Sequence, residues 1–512
     1  MGTSSTNTRT DVLIIGAGSA GSVVANRLSA DPSRSVTVLE AGTRVTDPEM
    51  RRPELWPFIH GRSYDWAYRT TPQPGLAGRS LDWARGRGPG GSSLVHAMAH
   101  MRGCRADFDR WVEATGDERW GWDALLPYFD RTESVLPVLR PGPELSSPLV
   151  QDYLAAWESL GVPSIPDHNH NGGEMLGATP NSVTIRDGER VTVSDVYLDP
   201  VLERPNLTLH TGVTVHRLLI DGGRVTGVTV TIDGRDGVLT ADEVILCGGS
   251  IGDPLLLMRS GIGDPAVLEA AGVEVLLPSE QVGKNLHDHL LGAGNVYTSR
   301  RDVPPTRLQL SESMTYQSRL GLTETAGPID LVVGCVVGPS ASEALAAEAA
   351  DAVPGHAYTL LFGVTNPTSR GSLRISGPDL DDEPVIDPNY LDTEHDRELF
   401  RLALERARLV GASAGLSAWR DREVLPGRSL AAGDDAAADA FIARAAITHH
   451  HPVGTLRMGD GDEAPVTPEL RVRGLDNLFV VDAAVIPSIT AGPVHASVLA
   501  IAEAFSARYT AL

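Results

Sequence analysis

At 512 residues, with 42% hydrophobic and 21% charged residues, the chain has the composition of a soluble globular protein long enough for more than one domain. A formal net charge of −23 and the lack of a basic cluster exclude nucleic acid and anionic membrane as natural partners. No apolar run approaches the ~18 residues that cross a bilayer. Cys104, Cys247 and Cys335 are odd in number and far apart, which excludes a disulfide framework, a zinc knuckle and a dithiol centre.

The polar opening, MGTSSTNTRT, reads as a leader without structure, neither signal peptide nor lipidation site, and a reducing, cytoplasmic setting is expected. Val12–Ile15, an uncharged β-branched run bounded by glycine, predicts a buried parallel strand. Gly16, Gly18 and Gly21 then complete G-x-G-x-x-G, and Ser19 and Ala20 lead into the helix-like SVVANRLSAD. Ser35–Leu39 predicts a second strand, closed by Glu40 and Ala41. In a chain with 53 glycines the glycine pattern alone is weak; strand before, helix after and an acid 19 residues past Gly21 make it specific. Gly16 permits the tight turn, Gly18 admits a pyrophosphate to the backbone, and Gly21 lets helix pack on strand. The helix's positive end suits phosphates and Glu40 suits a ribose diol. An adenine dinucleotide is predicted, without saying which.

Residues 45–85 lack periodicity and contain the aromatic stretch around Trp66. RGRGPGGSSLVHAM (85–98) reads as a second glycine-rich loop running into a helix, and DFDRWVEATG and GWDALLPYFDRTE as two capped helices. DHNHNGG (167–173) reads as a polar loop, and residues 207–234 as a β-meander with glycine turns. Residues 241–263 repeat the strand, glycine turn (Gly248) and helix pattern, which would return the chain to the first sheet. Between about 290 and 440, strand-like pieces at 330–337 and 359–364 and helices at 395–413 and 432–446 suggest a second, substrate-covering domain. Residues 473–487 form a strand followed by Asp482, and 494–509 a helix beginning at Val494 and His495.

Six stretches in order resemble the glucose–methanol–choline (GMC) family of FAD-dependent oxidoreductases. They are GAGSAG with Glu40, GRGPGGSSLVHAM, GGSIGDPLLLMRSGIG, VGKNLHDHL, HPVGTLRMG and LRVRGLDNLFVVDAAVIP. The resemblance implies an α/β fold. A Rossmann-like FAD domain is discontinuous in sequence (1–148, 201–289 and 447–512), and an α+β substrate domain (149–200 and 290–446) roofs the flavin with an antiparallel sheet. It further implies that Gly90, Gly91 and Ser92 lie along the flavin with His96, Ala97 and Met98 just beyond. Trp66 and Gly248 join the cofactor site, Val215 contacts adenine, and Asp482 and Ala483 stand near ribityl and phosphates. Some relatives attach FAD through a histidine at the position of Val95; valine there implies noncovalent FAD. Pro89 and Asp253 depart from the family pattern, which has a bulky aliphatic and a Ser or Thr.

His449, His450 and His451 precede Pro452, and a residue before proline is pushed toward extended backbone. In an extended run His449 and His451 share a face and His450 opposes them. An imidazole, with a pKa near working pH, suits a general base. The resemblance makes His451 the base that takes a hydroxyl proton, and His449 would position the substrate oxygen. A metal cluster is the competing reading of H-x-H, but no carboxylate or cysteine at fixed spacing completes it, so no metal is expected. HDH (287–289) reads as a structural turn network. Most relatives carry a second His or Asn 42 residues after the base; here that position is Pro493, which can only wall the pocket. His495 at a helix start could steady negative charge on reduced flavin. H-x-H-P with the later proline resembles the branch of the family that oxidises pyridoxine with O2. A monomer acting on a small heteroaromatic alcohol is expected. A dehydrogenase on aryl or choline-like alcohols and a redox-neutral lyase of the same fold are the alternatives.

Overall fold

The first sheet is built around the long strand Arg235–Leu246. The structure, a computed structural model, describes residues 9–510 apart from 233 and 307; the MGTSST opening lies outside the described residues. Strand β1 (Arg9–Ile15) pairs parallel to this long strand, Ile15 opposite Leu246, and on its other side parallel to β2 (Val36–Glu40). Val12–Ile15 and all of β2 are buried, as continuous apolar runs in a doubly covered parallel sheet must be. Helix α1 (Ser19–Leu28) follows the glycine turn and covers one face.

Arg235–Leu246 serves two sets of neighbours. Its first half pairs antiparallel with Arg224–Ile232, and its last residues, Val244–Leu246, pair parallel with Leu478–Val480 from the far end of the chain. The predicted return to the first sheet is therefore present from both directions. The expected meander begins later than predicted: Thr214–Asp221, Arg224–Ile232 and Arg235–Leu246 are its strands. Leu207–Thr211 instead adds a parallel edge strand to β2 and forms the border of the sheet.

The second sheet is antiparallel in the order 311–317, 331–336, 357–364, 290–299, 420–425, with Ala446–Thr448 also paired to Leu290–Gly292. Strands 311–317, 331–336 and 357–364 are buried on both faces and alternate between two cores. Val333, Cys335, Leu360 and Phe362 join the main core, where Phe362 packs edge to face on Phe400 of helix Glu394–Ala412. Leu291, Met314, Val332, Val336 and Leu361 face the other way. The period of two that aims those side chains is what makes this sheet a roof.

The helix expected after the second glycine loop is a single tight turn, Gly91–Leu94. Gly90 and Gly91 both take positive φ, and Met98 does so again, so the backbone cannot continue as a helix. Among the described residues, no helix is long and apolar enough to cross a membrane.

Candidate active site

Between the C-terminal ends of the first sheet's strands and the second face of the roof lies a cavity of about 1900 Å3. Ile15 and Leu39 line it on one side and Leu291, Met314 and Leu361 on the other. The crevice beyond the carboxyl ends of parallel strands is where an open α/β sheet takes its ligand. Every residue predicted to hold the cofactor, act chemically or wall the pocket lines this cavity, except Gly21 and Gly90. Those two work behind it. A Cβ on Gly21 would lie 1.9 Å from the Gly16 carbonyl oxygen, and one on Gly91 would lie 2.6 Å from Gly18 Cα. Gly90 gives its N–H to the Ala17 carbonyl at 2.8 Å. The two glycine loops thus touch, and neither has room for a side chain between them.

Glu40 ends β2 buried, with Ala17 N–H donating to Oε2 at 2.9 Å and Gly42 N–H to Oε1 at 2.8 Å. Burial pushes its carboxyl up, and these N–H groups pull it back. Trp66 sits at the rim, 41% exposed, stacked on Tyr68 with the Arg87 guanidinium over its ring. His96 Nδ1 accepts from Met98 N–H and from Arg190, each at 3.0 Å. Its proton is therefore on Nε2, a buried atom with no protein partner. His495 meets Ser19 Oγ through Nε2 at 3.0 Å, crosses the His96 ring at 4.8 Å, and leaves Nδ1 buried and unpartnered. These two open nitrogens on the cavity wall offer hydrogen-bond partners to a polar ligand. Glycine loops, a buried acid and these two imidazole atoms fit FAD.

The histidine run is not extended throughout, contrary to expectation. After the short strand Ala446–Thr448, His450 takes φ 62°, in the left-handed region. That conformation costs about 1–2 kcal/mol for a residue with a Cβ and persists where the surroundings over-determine it. Thr448 Oγ1 accepts the His450 N–H at 2.8 Å, and Arg85 donates to its carbonyl. The side chains still divide as predicted. The rings of His449 and His451 are 4.3 Å apart, and His450 turns away onto His60 at 5.1 Å.

The HDH segment is more than a turn network. Its backbone is strapped to the histidine run, His449 N–H donating to the His289 carbonyl at 2.9 Å. Asp288 accepts the His451 N–H and the Thr448 hydroxyl, each at 2.6 Å, and the Tyr390 hydroxyl. His287 Nε2 accepts the Ile489 N–H at 3.0 Å, which ties down the loop that leads to Pro493. His289 enters the site itself: its Nε2 lies 2.8 Å from the Thr365 carbonyl and its Nδ1 lies 3.0 Å from His451 Nδ1. A carbonyl only accepts, so His289 carries its proton on Nε2 and accepts at Nδ1. His451 must then carry its proton on Nδ1, which leaves Nε2 bare. Burial pushes His449 down to about 3 and His289 to about 4, and it holds His451 well below its ordinary value, with the other imidazoles adding repulsion.

The nitrogens of His289, His449 and His451 lie within 4.8 Å of one another, a spacing that could also hold a divalent ion. Both nitrogens of His289 already have partners, however, which leaves a set of two ligands. Sequence reasoning missed His289 and Asp288. The signal was an H-x-H pattern repeated in both segments, which an extended register would aim at one place. DHNHNGG is the polar loop expected, and part of it is buried. Asp167, His168 and Asn169 are buried beneath the roof, with His168 Nε2 3.0 Å from the Met314 carbonyl and its ring edge to face with Tyr316.

The N-terminal GMC oxidoreductase family model matches residues 10–291 and the C-terminal one residues 367–502. Pyridoxine 4-oxidase of Microbacterium luteolum is 52% identical, over 97% of this chain and 98% of its own length. Oxygen-dependent choline dehydrogenase of Ectopseudomonas mendocina (strain ymp) is 33% identical, over 97% and 93%. Among solved structures, pyridoxine 4-oxidase from Mesorbium loti superposes with a TM-score of 0.94 at 50% identity, covering 98% of this chain and 99% of that one. A formate oxidase superposes with a TM-score of 0.86 at 26% identity, covering 99% and 98%. With sequence and fold matching almost end to end, the chain belongs to the GMC oxidoreductases, as an FAD-dependent alcohol oxidase.

Proposed function

We propose that this chain oxidises the 4-hydroxymethyl group of pyridoxine to the aldehyde, giving pyridoxal, while O2 is reduced to hydrogen peroxide. Two things support that substrate: the 52% identity to a pyridoxine 4-oxidase, and a paired imidazole site that shares its cavity with Pro493, where many relatives carry a second His or Asn. The observation that carries the mechanism is the chain Thr365 carbonyl, His289, His451, which leaves His451 Nε2 without a proton.

In this reading His451 Nε2 takes the proton of the substrate hydroxyl, and His449, 4.3 Å away ring to ring, holds the substrate oxygen in line. His289 accepts from His451 Nδ1 throughout, so the imidazolium that forms is steadied where it needs a partner. Pro493 offers no donor and acts as a wall. Bound FAD supplies the two-electron acceptor. Gly16, Gly18, Glu40, Gly91, Ser92, His96, Asp482 and His495 would hold it, noncovalently, because Val95 has no atom to form a bond. All these residues come from one chain, which suits a monomer. The division into an FAD domain (1–148, 201–289, 447–512) and a substrate domain (149–200, 290–446) is supported by the membership of the two sheets, although strand Ala446–Thr448 straddles the last boundary.

Adding pyridoxine to oxygen-free enzyme should bleach the flavin absorbance, and air should restore it with hydrogen peroxide released. No bleaching by pyridoxine, with bleaching by choline or an aryl alcohol, overturns the substrate. Bleaching without recovery in air makes the enzyme a dehydrogenase, and no bleaching by any alcohol favours a redox-neutral lyase.

A further inference from the structure

Asp253 stands where the family pattern has Ser or Thr, and the fold gives it an acidic neighbour. It lies in the first turns of helix Gly249–Arg259, 1% exposed, beside Asp482, 3% exposed, which arrives from the end of strand Leu478–Val480. Both carboxyls hang from one turn. Gly248 N–H donates to Asp253 Oδ1 at 2.8 Å and Gly249 N–H to Asp482 Oδ2 at 2.6 Å. Asp482 Oδ1 takes a further N–H from Ala484 at 2.8 Å, whereas Asp253 Oδ2 has no donor. Both residues line the cavity next to the dinucleotide loop; a Cβ on Gly16 would lie 2.4 Å from the Cys247 carbonyl oxygen just before this turn.

Among the described residues no Arg, Lys or His acts on either carboxyl, and Arg217 and Arg374, on strands packed against the same helix, leave it untouched. The remaining titratable neighbour is the Cys247 thiol, which burial and the two acids hold protonated. Two buried carboxylates side by side cannot both ionise at modest cost, and a bound dinucleotide adds phosphate charge nearby.

We propose that Asp253 and Asp482 share a single proton, carried on Asp253 Oδ2 toward Asp482, and that this acid–carboxylate pair is part of the site that holds FAD. Burial raises both carboxyls. Asp482 accepts two backbone N–H groups and keeps its charge, whereas Asp253 accepts one and has Oδ2 free, which puts the proton on Asp253. The pair carries one negative charge instead of two, and all three backbone N–H groups keep an acceptor. Anionic FAD holds that proton more tightly than the free protein does, so FAD affinity falls as rising pH removes it.

FAD release from the holoenzyme, followed by the rise in flavin fluorescence, should therefore accelerate at least about tenfold toward alkaline pH. Asp253→Asn keeps an acceptor for the Gly248 N–H and supplies a permanent donor to Asp482. It should retain FAD and flatten the alkaline acceleration. Asp253→Ser, the kind of residue usual in the family, checks the fold and should flatten it as well. The melting temperature of the FAD-free protein should drop with rising pH in the wild type more than in either variant. Alkaline acceleration that persists in both variants overturns the proposal, as does wild-type release that is independent of pH.

Discussion

Replacing His451 by Ala should lower kcat/KM by roughly 10²–10⁴-fold, the worth of a general base, while the flavin spectrum shows FAD still bound. The same loss accompanied by loss of FAD would mean that His451 only supports the cofactor. In the proposed mechanism His289 stands one residue behind, as a positioning group. With His289→Ala, His451 is free to place its proton on either nitrogen, so kcat should fall while KM changes little, and the acid limb of the pH profile should move. A purely structural role would leave that limb in place. Because burial holds His451 well below its ordinary value, wild-type kcat/KM should stay level down to below the ordinary histidine range. Fold stability follows the same sign. Imidazoles buried in the neutral form contribute fully above about 6.5, and their contribution is lost as pH falls toward the about 4 of His289 and about 3 of His449. Thermal melts from neutral to acidic pH check this. That His449 and His451 share a face was legible, because an alternating pair before a proline already aims two side chains one way. His289 was not, because its part depends on a hydrogen bond to a residue 162 positions away.

Among the elements, the unit most tightly specified is β1, its glycine turn and α1. A β-branched run, three glycines and an acid at the right distance are all local signals, and the pairing of β1 with β2 follows from them. Gly21 shows how little slack remains. An added Cβ would meet the Gly16 carbonyl oxygen, which is backbone and cannot swing aside. Gly21→Ala should destabilise the protein by about 1–3 kcal/mol or more and weaken FAD binding, measured as flavin retained after gel filtration and as a lower melting temperature; full retention would mean that helix and turn can separate. Other elements were less legible because their shape is set by partners distant in sequence. Leu207–Thr211 reads as meander from its turns, yet β2 recruits it as a parallel edge. The 85–98 segment reads as a glycine loop running into a helix, yet contact with the Gly16–Gly18 loop needs positive φ at Gly90 and Gly91, and only one tight turn follows. The left-handed His450 lies in the same class: its extended prediction was right about the side chains and wrong about the backbone that produces it.

At the scale of the molecule, the dinucleotide site closes only when both chain ends meet. Leu478–Val480 joins the first sheet beside Val244–Leu246, and helix His495–Tyr509 lies along α1. Ser19 reaches His495 at 3.0 Å, and the partly buried Arg27 pairs at 2.6 Å with Glu503, itself fully buried and also taking the Tyr197 hydroxyl. The discontinuity was legible because the last seventy residues repeat the strand–acid–helix theme of the first. How the ends interlock was not, since the Arg27–Glu503 pair joins residues 476 positions apart. A ligand seated across such a seam stabilises both sides together. At a free concentration of about a hundred times Kd it contributes about 2.7 kcal/mol, and that contribution is absent from segments that open without disturbing the site. FAD should therefore raise hydrogen-exchange protection in 9–28 and in 478–509 in parallel, whereas exposed positions of the strand Arg420–Leu425, at the edge of the roof, should change little. Protection that rises in the N-terminal segment alone would mean that the C-terminal helix docks independently of the cofactor, and the site would then be two half-sites rather than one.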